Sequence, residues 1–455
     1  MGDLVQNSSA TKKRTFIVSM IILAVMYFVF GLVSWVNSIL IPYFRISLEL
    51  TSQLQSYLVT FAFYIAYFVM AIPSGILLNR VGYKRGIMYG FMFMALGALI
   101  FVPAALIRQY WLFLIGLYSI GTGLAILQTA ANPYVTIIGP IDRAAQRMSI
   151  MGIFNKSAGI LAPLIFAAVV LKASDQTTFS LLESGVLTGL EKEAVLNELI
   201  RRVILPYSIL AVLLLIVGIT IRYSVLPEVE PEEDEETEAE VTSLESSHKK
   251  KRLIDYPYLI FGAIAIFLHV GSQVIAVDTI INYAGSMGIN LLEAKIFPSY
   301  TLICTIICYM LGIVLIPRVV SQRTALQICT VLGLMLSLGV VLTDAPVTLF
   351  GHNANISIWF LASVGFPNAL IYAGIWPLSI HHLGKLTKTG SSLLIMGLCG
   401  NAVLPLIYGA LADRYGLRAG YWVLIPCFLY LVWFAFHGHT ILHWGNGRHD
   451  DKVKR

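Results

Sequence analysis

Residues Gly121–Pro140 read GTGLAILQTAANPYVTIIGP. The stretch is apolar enough to lie in lipid, yet Gln128, Thr129, Asn132 and Pro133 stand at its centre. A membrane-spanning helix needs about 20 mostly apolar residues. An amide in hydrocarbon costs free energy unless it is hydrogen-bonded, so mid-span polar residues face another helix or a cavity. Gln128 and Asn132 are four apart and share a helix face. Pro133 removes one backbone hydrogen bond and bends the chain there, freeing a carbonyl that packing, water or a ligand must satisfy.

Working outward, composition agrees. The 455-residue chain is 57% hydrophobic and only 12% charged, with a mean hydropathy of +0.79. A soluble domain carries about twice that share of charge, so the chain reads as an all-α integral membrane protein. Apolar runs of spanning length fall at 16–42, 54–79, 86–106, 109–139, 146–171 and 203–227, then at 256–286, 297–317, 324–343, 355–383, 389–412 and 420–438. The layout is a tail (1–15), a six-helix bundle (16–227), a linker (228–253), a second bundle (254–438) and a tail (439–455). The first run is too long for a signal peptide and has no small-residue cleavage site. The linker holds an acidic run, Glu228–Glu240, and then Lys249, Lys250, Lys251 and Arg252; like charges in blocks repel and stay solvated. All five cysteines lie inside apolar runs and read as packing residues.

With a cytoplasmic N-terminus, 21 lysines and arginines fall on inner segments and 9 on outer ones. This positive-inside bias predicts that both termini are cytoplasmic. The basic residue left over is Lys156, inside the fifth run and roughly 14 Å past Arg147 at helical rise. An ammonium at that depth is costly unless paired, neutral or hydrated. Asp278, in the seventh run, is its nearest counterpart. Pairing the two is stretched by their different depths, and Asp278 can equally face outer water at a helix end.

A polar small molecule held at mid-membrane needs hydrogen-bonding groups for its polar atoms and flat aromatic faces for its apolar side. The candidates are Trp35, Asn37 and Ser38 in the first run, Gln128, Asn132 and Tyr134 in the fourth, and Asn155 and Lys156 in the fifth. The seventh offers His269, Gln273, Asp278 and Asn282, the tenth Asn368, Tyr372 and Trp376, and the eleventh Asn401. Each alone is compatible with packing; their concentration favours binding. No Cys/His zinc spacing, phosphate-cradling glycine loop or nucleophile elbow occurs, so no metal site and no enzyme chemistry is expected. His437, His439 and His443, beside Trp444, read as an interfacial anchor.

Six helices, an inside linker and six more form the layout of the major facilitator superfamily. Gly75–Arg85 (GILLNRVGYKR) resembles its loop G-x-L-x-D-R-x-G-R-R/K, with Gly75, Asn79, Arg80, Gly82, Lys84 and Arg85 as the gating residues and Asn79 in place of the aspartate. Asn37–Pro42, Gln128–Val135, Phe154–Asn155, Gly390–Ser392, Pro405, Gly409 and Asp413, in this order, further resemble the bacterial fucose/glucose–galactose symporter family. That resemblance implies a twelve-helix monosaccharide carrier of a bacterial inner membrane, binding near the midplane between two rocking halves. It implies helices 1, 4, 7 and 10 as the cavity lining. The proton-coupled fucose members carry carboxylates where this chain has Ser38 and Gln128, neither of which titrates near neutral pH. Glucose–galactose members of that family also carry glutamine on helix 4, so by this resemblance Gln128 points to a glucose-type substrate: glucose or galactose first, then N-acetylglucosamine or fucose. Cation symport with sodium or a proton is the family expectation, with Asp278 and Lys156 as coupling candidates and no other cofactor. An uncoupled uniporter is the alternative, and a non-transporting sugar sensor a further one. The expected state is a monomer whose partners are a sugar and membrane lipid, with no nucleic acid.

Overall fold

The computed structural model describes residues 2–137, 144–184, 186–224, 253–316, 318–381, 383 and 387–444, with side chains at 2–15, 79, 132–134, 136–137, 144–146 and 387–389 left aside. Among these residues, twelve helices are long and apolar enough to cross a membrane. They are α1 (Phe16–Ser47), α2 (Gln53–Leu78), α3 (Tyr83–Leu106), α4 (Tyr110–Ala131), α5 (Arg147–Val170), α6 (Gly189–Arg222), α7 (Pro257–Asp278), α8 (Leu291–Leu315), α9 (Gln322–Leu342), α10 (Ile356–Ile380), α11 (Gly390–Tyr415) and α12 (Leu417–Phe436). The expected linker lies, except for Leu253, outside the described residues. The backbone is helical from Gly2 onward, so the segment expected as an N-terminal tail runs continuously into α1 up to Trp35.

Two sets of six helices pack internally. α3 lies on α4 and α6, α2 on α4, and α1 on α5; α10 lies on α7, α8 and α9, while α12 packs on α7 and α9. Lipid tails are as apolar as leucine, so such helices associate through close packing. α3 and α4 do this through glycines: a Cβ on Gly97 would lie 2.4 Å from the Gly116 carbonyl oxygen, and one on Gly116 would lie 2.8 Å from that of Gly97. Side chains turned outward, such as Ile17, Ile21, Phe68, Ile72, Leu96 and Ile216, form an apolar exterior. The two sets meet along α2–α11 and α5–α8.

Several elements depart from the sequence expectation. α1 is broken at Val36, separating Gly2–Trp35 from Asn37–Ser47. α7 ends at Asp278 and a short helix, Ile280–Gly285, carries on. α6 begins well before residue 203 because the amphipathic helix Gly189–Arg201 precedes its apolar part, Ile204–Arg222. A helix Asp175–Glu183 stands before it, tied by Arg202 to Asp175 at 2.7 Å. Between α9 and α10 a hairpin forms from β1 (Pro346–Leu349) and β2 (His352–Asn355), with Leu349 opposite His352. Phe350 and Gly351 both take positive φ, as a two-residue hairpin turn requires.

Candidate functional site

The end of the molecule carrying the α1–α2 turn is called distal here. Midway along the bundle, Lys156 of α5 crosses between the two sets, its Nζ donating to Gln273 Oε1 of α7 at 3.4 Å. The same ammonium sits 4.0 Å from the centroid of the Trp35 ring, a cation–π distance. Trp35 Nε1 donates to Asn155 Oδ1 at 3.1 Å, and Asn155 Nδ2 donates to the Tyr27 carbonyl at 3.3 Å. Gly159 lets the indole lie flat against α5, since a Cβ there would stand 2.5 Å from the ring. Behind it Trp35 packs with Ala162, Val277 and Leu302. One turn before Gln273 and on its face, His269 is 1% exposed and within electrostatic range of Lys156. Trp35, Asn155, Lys156, His269 and Gln273 are thus brought together.

On the proximal side of this cluster aromatic groups converge. Tyr372 and Trp376 have ring centroids 5.8 Å apart. Tyr372 is close enough to Tyr27, Tyr67 and Tyr309 to interact electrostatically, and Gln128 hydrogen-bonds Tyr67. Several buried polar atoms have no protein partner among the described residues: both amide atoms of Asn37 and of Asn368, Asn401 Oδ1, and His269 Nδ1. Buried polar groups are nearly always hydrogen-bonded, to water or ligand where protein is absent. Ser38 is different: its hydroxyl is spent on the Trp35 carbonyl at 2.9 Å, across the break in α1. The side chains of Asn132, Tyr134 and Asn79 lie outside those described.

Asp278 and Asn282 belong elsewhere. Asp278 is fully buried, not facing outer water, and does not pair with Lys156; its Oδ2 accepts from Thr60 of α2 at 3.2 Å. Asn282 Nδ2 donates to the Tyr57 hydroxyl at 3.3 Å. Around them the Tyr57 and Tyr408 rings meet edge to face at 5.4 Å, Tyr408 meets Tyr421 at 4.8 Å, and Thr279 bonds the Tyr421 hydroxyl at 2.7 Å. Outermost, the Asp413 carboxylate accepts from the Gln53 and Leu54 backbone N–H groups at 2.6 and 3.0 Å. These contacts tie α2 of the first set to α7, to Ile280–Gly285 and to α11 of the second, with α12 joined through Tyr408 and Thr279, and seal the distal end. Sequence reasoning missed the tyrosines Tyr27, Tyr57, Tyr67, Tyr309, Tyr408 and Tyr421. The available signal was Tyr57 and Tyr64 on α2, seven residues apart in an apolar run.

The loop Gly75–Arg85 turns at Gly82, with φ 79°, and Lys84 Nζ donates to the Ser224 carbonyl at 3.0 Å. Near the C-terminus His439 is buried, its Nδ1 facing the Phe434 carbonyl at 2.9 Å, and the Trp444 indole N–H donates to the Ile254 carbonyl. Burial lowers the affinity of His439 for a proton, and the Phe434 carbonyl partly offsets this.

The chain is 30% identical to a glucose/galactose transporter of Brucella abortus over 418 residues, covering 91% of this chain and 93% of that one. It is 29% identical to the L-fucose-proton symporter of Escherichia coli, covering 94% of each. Among solved structures it matches the transporter FucP in the outward conformation with a TM-score of 0.67 at 26% identity, covering 92% of this chain and 98% of that one. It also matches, in fold alone, a bacterial homologue of the lysosomal transporter Spinster in an inward-facing, occupied conformation, at 14% identity and a TM-score of 0.61. The model of the Major Facilitator Superfamily matches residues 23–401. A twelve-helix membrane fold and this match over most of its length agree: the chain belongs to the Major Facilitator Superfamily.

Proposed function

We propose that this protein carries one monosaccharide at a time across a bacterial inner membrane by alternating access. The observation that carries the reading is the Lys156–Gln273 bond with Trp35 beneath it, a polar and aromatic cluster held jointly by both six-helix sets. A sugar there exchanges hydrogen bonds with the amides of Asn155 and Gln273 and stacks on Trp35, Tyr372 or Trp376. With the positive-inside orientation, the distal end that the tyrosines close is the outer one. Glucose and galactose are the first candidates, by likeness to relatives so named, with N-acetylglucosamine or fucose next. Transport is coupled to sodium or a proton; Ser38 and Gln128, standing where titrating carboxylates would serve a proton, favour an uncoupled uniporter as the second reading. The chain acts as a monomer in lipid.

The test is counterflow and accumulation of labelled sugars in proteoliposomes, with sodium and proton gradients imposed separately. Accumulation following one gradient supports symport, and exchange following neither supports uniport. The carrier reading fails if no monosaccharide, neutral or acidic, exchanges.

A further inference from the structure

Resting on the sugar-carrier reading, we infer that Lys156 selects the substrate class: the sugar this site holds best carries a carboxylate, as a hexuronate does. Lys156 is 6% exposed and sits midway through the bundle. Its described neighbours are an aromatic face and a neutral amide oxygen, and no ion pair joins it to any described carboxylate. The one carboxylate buried within the helical interior of the second set, Asp278, is taken up by Thr60 at the distal seal. A buried cation without a counter-charge is unfavourable by several kcal/mol, and an anion placed beside it recovers much of that. Trp35 and Gln273 moderate the cost without cancelling the charge.

The surroundings fit an anion on the ligand. His269, within electrostatic range of Lys156, keeps Nδ1 without a protein partner and can donate to the second carboxylate oxygen in its Nδ1–H tautomer. Asn37 and Asn368, each at most 1% exposed with the amide unpaired, can take hydroxyls. No described carboxylate shares the cluster, so nothing there repels an acid sugar.

Purified full-length protein is titrated by calorimetry with galacturonate and glucuronate, with galactose and glucose, and with the neutral amides of both acids, which keep their shape. A charge-assisted contact in a site of this kind predicts that one hexuronate binds at least about tenfold tighter than its hexose and its amide. Lys156→Gln is expected to erase that preference, each hexuronate falling to the affinity of its own amide, and Lys156→Arg to keep most of it. Wild-type protein that binds the hexoses as well as the acids overturns the inference and leaves the carrier reading standing. So does a preference that survives Lys156→Gln. If neither acid nor neutral sugar binds or exchanges, both readings fall together.

Discussion

Two turns in this molecule share the pattern x-Arg-x-Gly and differ in the charge of its first residue. In the first, Asn79 and Arg80 precede Gly82, which links α2 to α3; in the second, Asp413 and Arg414 precede Gly416, which links α11 to α12. Both glycines adopt nearly the same backbone, φ 79° and ψ 163° against φ 94° and ψ 156°. A side chain would strain either turn, because the region is open mainly to glycine. Only the second turn carries a charge at the position three residues before its glycine. Asp413 uses it to cap the start of α2, where two backbone N–H groups have no intrahelical partner and the helix dipole favours an anion. An amide such as Asn79 offers no net charge to a helix end. At the distal end, the turn that carries a carboxylate ties the two sets together.

The comparison can be broken most directly at Asp413. Asp413→Asn removes the charge and weakens two charge-assisted bonds, together worth about 2–3 kcal/mol, so distal-open molecules should rise at least about tenfold. Spin labels on a cysteine-free background at Leu190 and Phe350, both strongly exposed at the distal end, would report a longer-distance population; an unchanged distribution would end the lock interpretation. Asn79→Asp is the reciprocal change. Its expected shift toward the distal-open state is smaller, about 1 kcal/mol or less. Combined with Asp413→Asn it should raise the distal-open population further.

Thr60→Val probes the seal one layer inward. Losing the hydroxyl leaves Asp278 without its described partner, and a loss of roughly 1–2 kcal/mol is expected, read as a lower melting temperature and a modest distal opening. A stability equal to wild type would mean the Thr60–Asp278 bond contributes nothing to closure.

The smallest effect belongs to Glu49, which joins Lys192 at 2.5 Å and Arg108 at 2.9 Å on the distal surface without crossing between the sets. Lys192 first, and then Arg108, lower its carboxyl below the ordinary value of 4.5. The stabilisation is therefore present above about pH 4.5 and fades as pH falls through the lowered value. Because the carboxyl is 40% exposed, solvent screens it. Glu49→Gln should cost no more than about 0.5 kcal/mol at neutral pH and leave the spin-label distances unchanged. A shift in those distances would place the lock in the surface charges and not in Asp413.

Depth along a helix was readable from the chain, and facing was not. Counting residues at helical rise separated Lys156 from Asp278, and the structure gives them different partners. Four-residue spacing put His269 and Gln273 on one face, as found. Which neighbour a face meets left little trace, because lipid-facing and packed faces are both apolar in such helices. Tyr57, Tyr408 and Tyr421 therefore passed as ordinary apolar filling, and the seal went unread. The helix Gly189–Arg201 ahead of the apolar part of α6 was missed because it is amphipathic and charged, whereas the apolar run from 203 matches Ile204–Arg222. The hairpin was overlooked because its strands are four residues each, too short for a period to register.

The turn at Val36 divides one crossing into two levers. The lever ending at Trp35 bears on the ammonium of Lys156, while the one starting at Asn37 leans on α7 and on Ile280–Gly285 beside the tyrosine plug. A small rotation at that single joint would carry news of an occupied centre to the closed mouth, with neither bundle needing to deform.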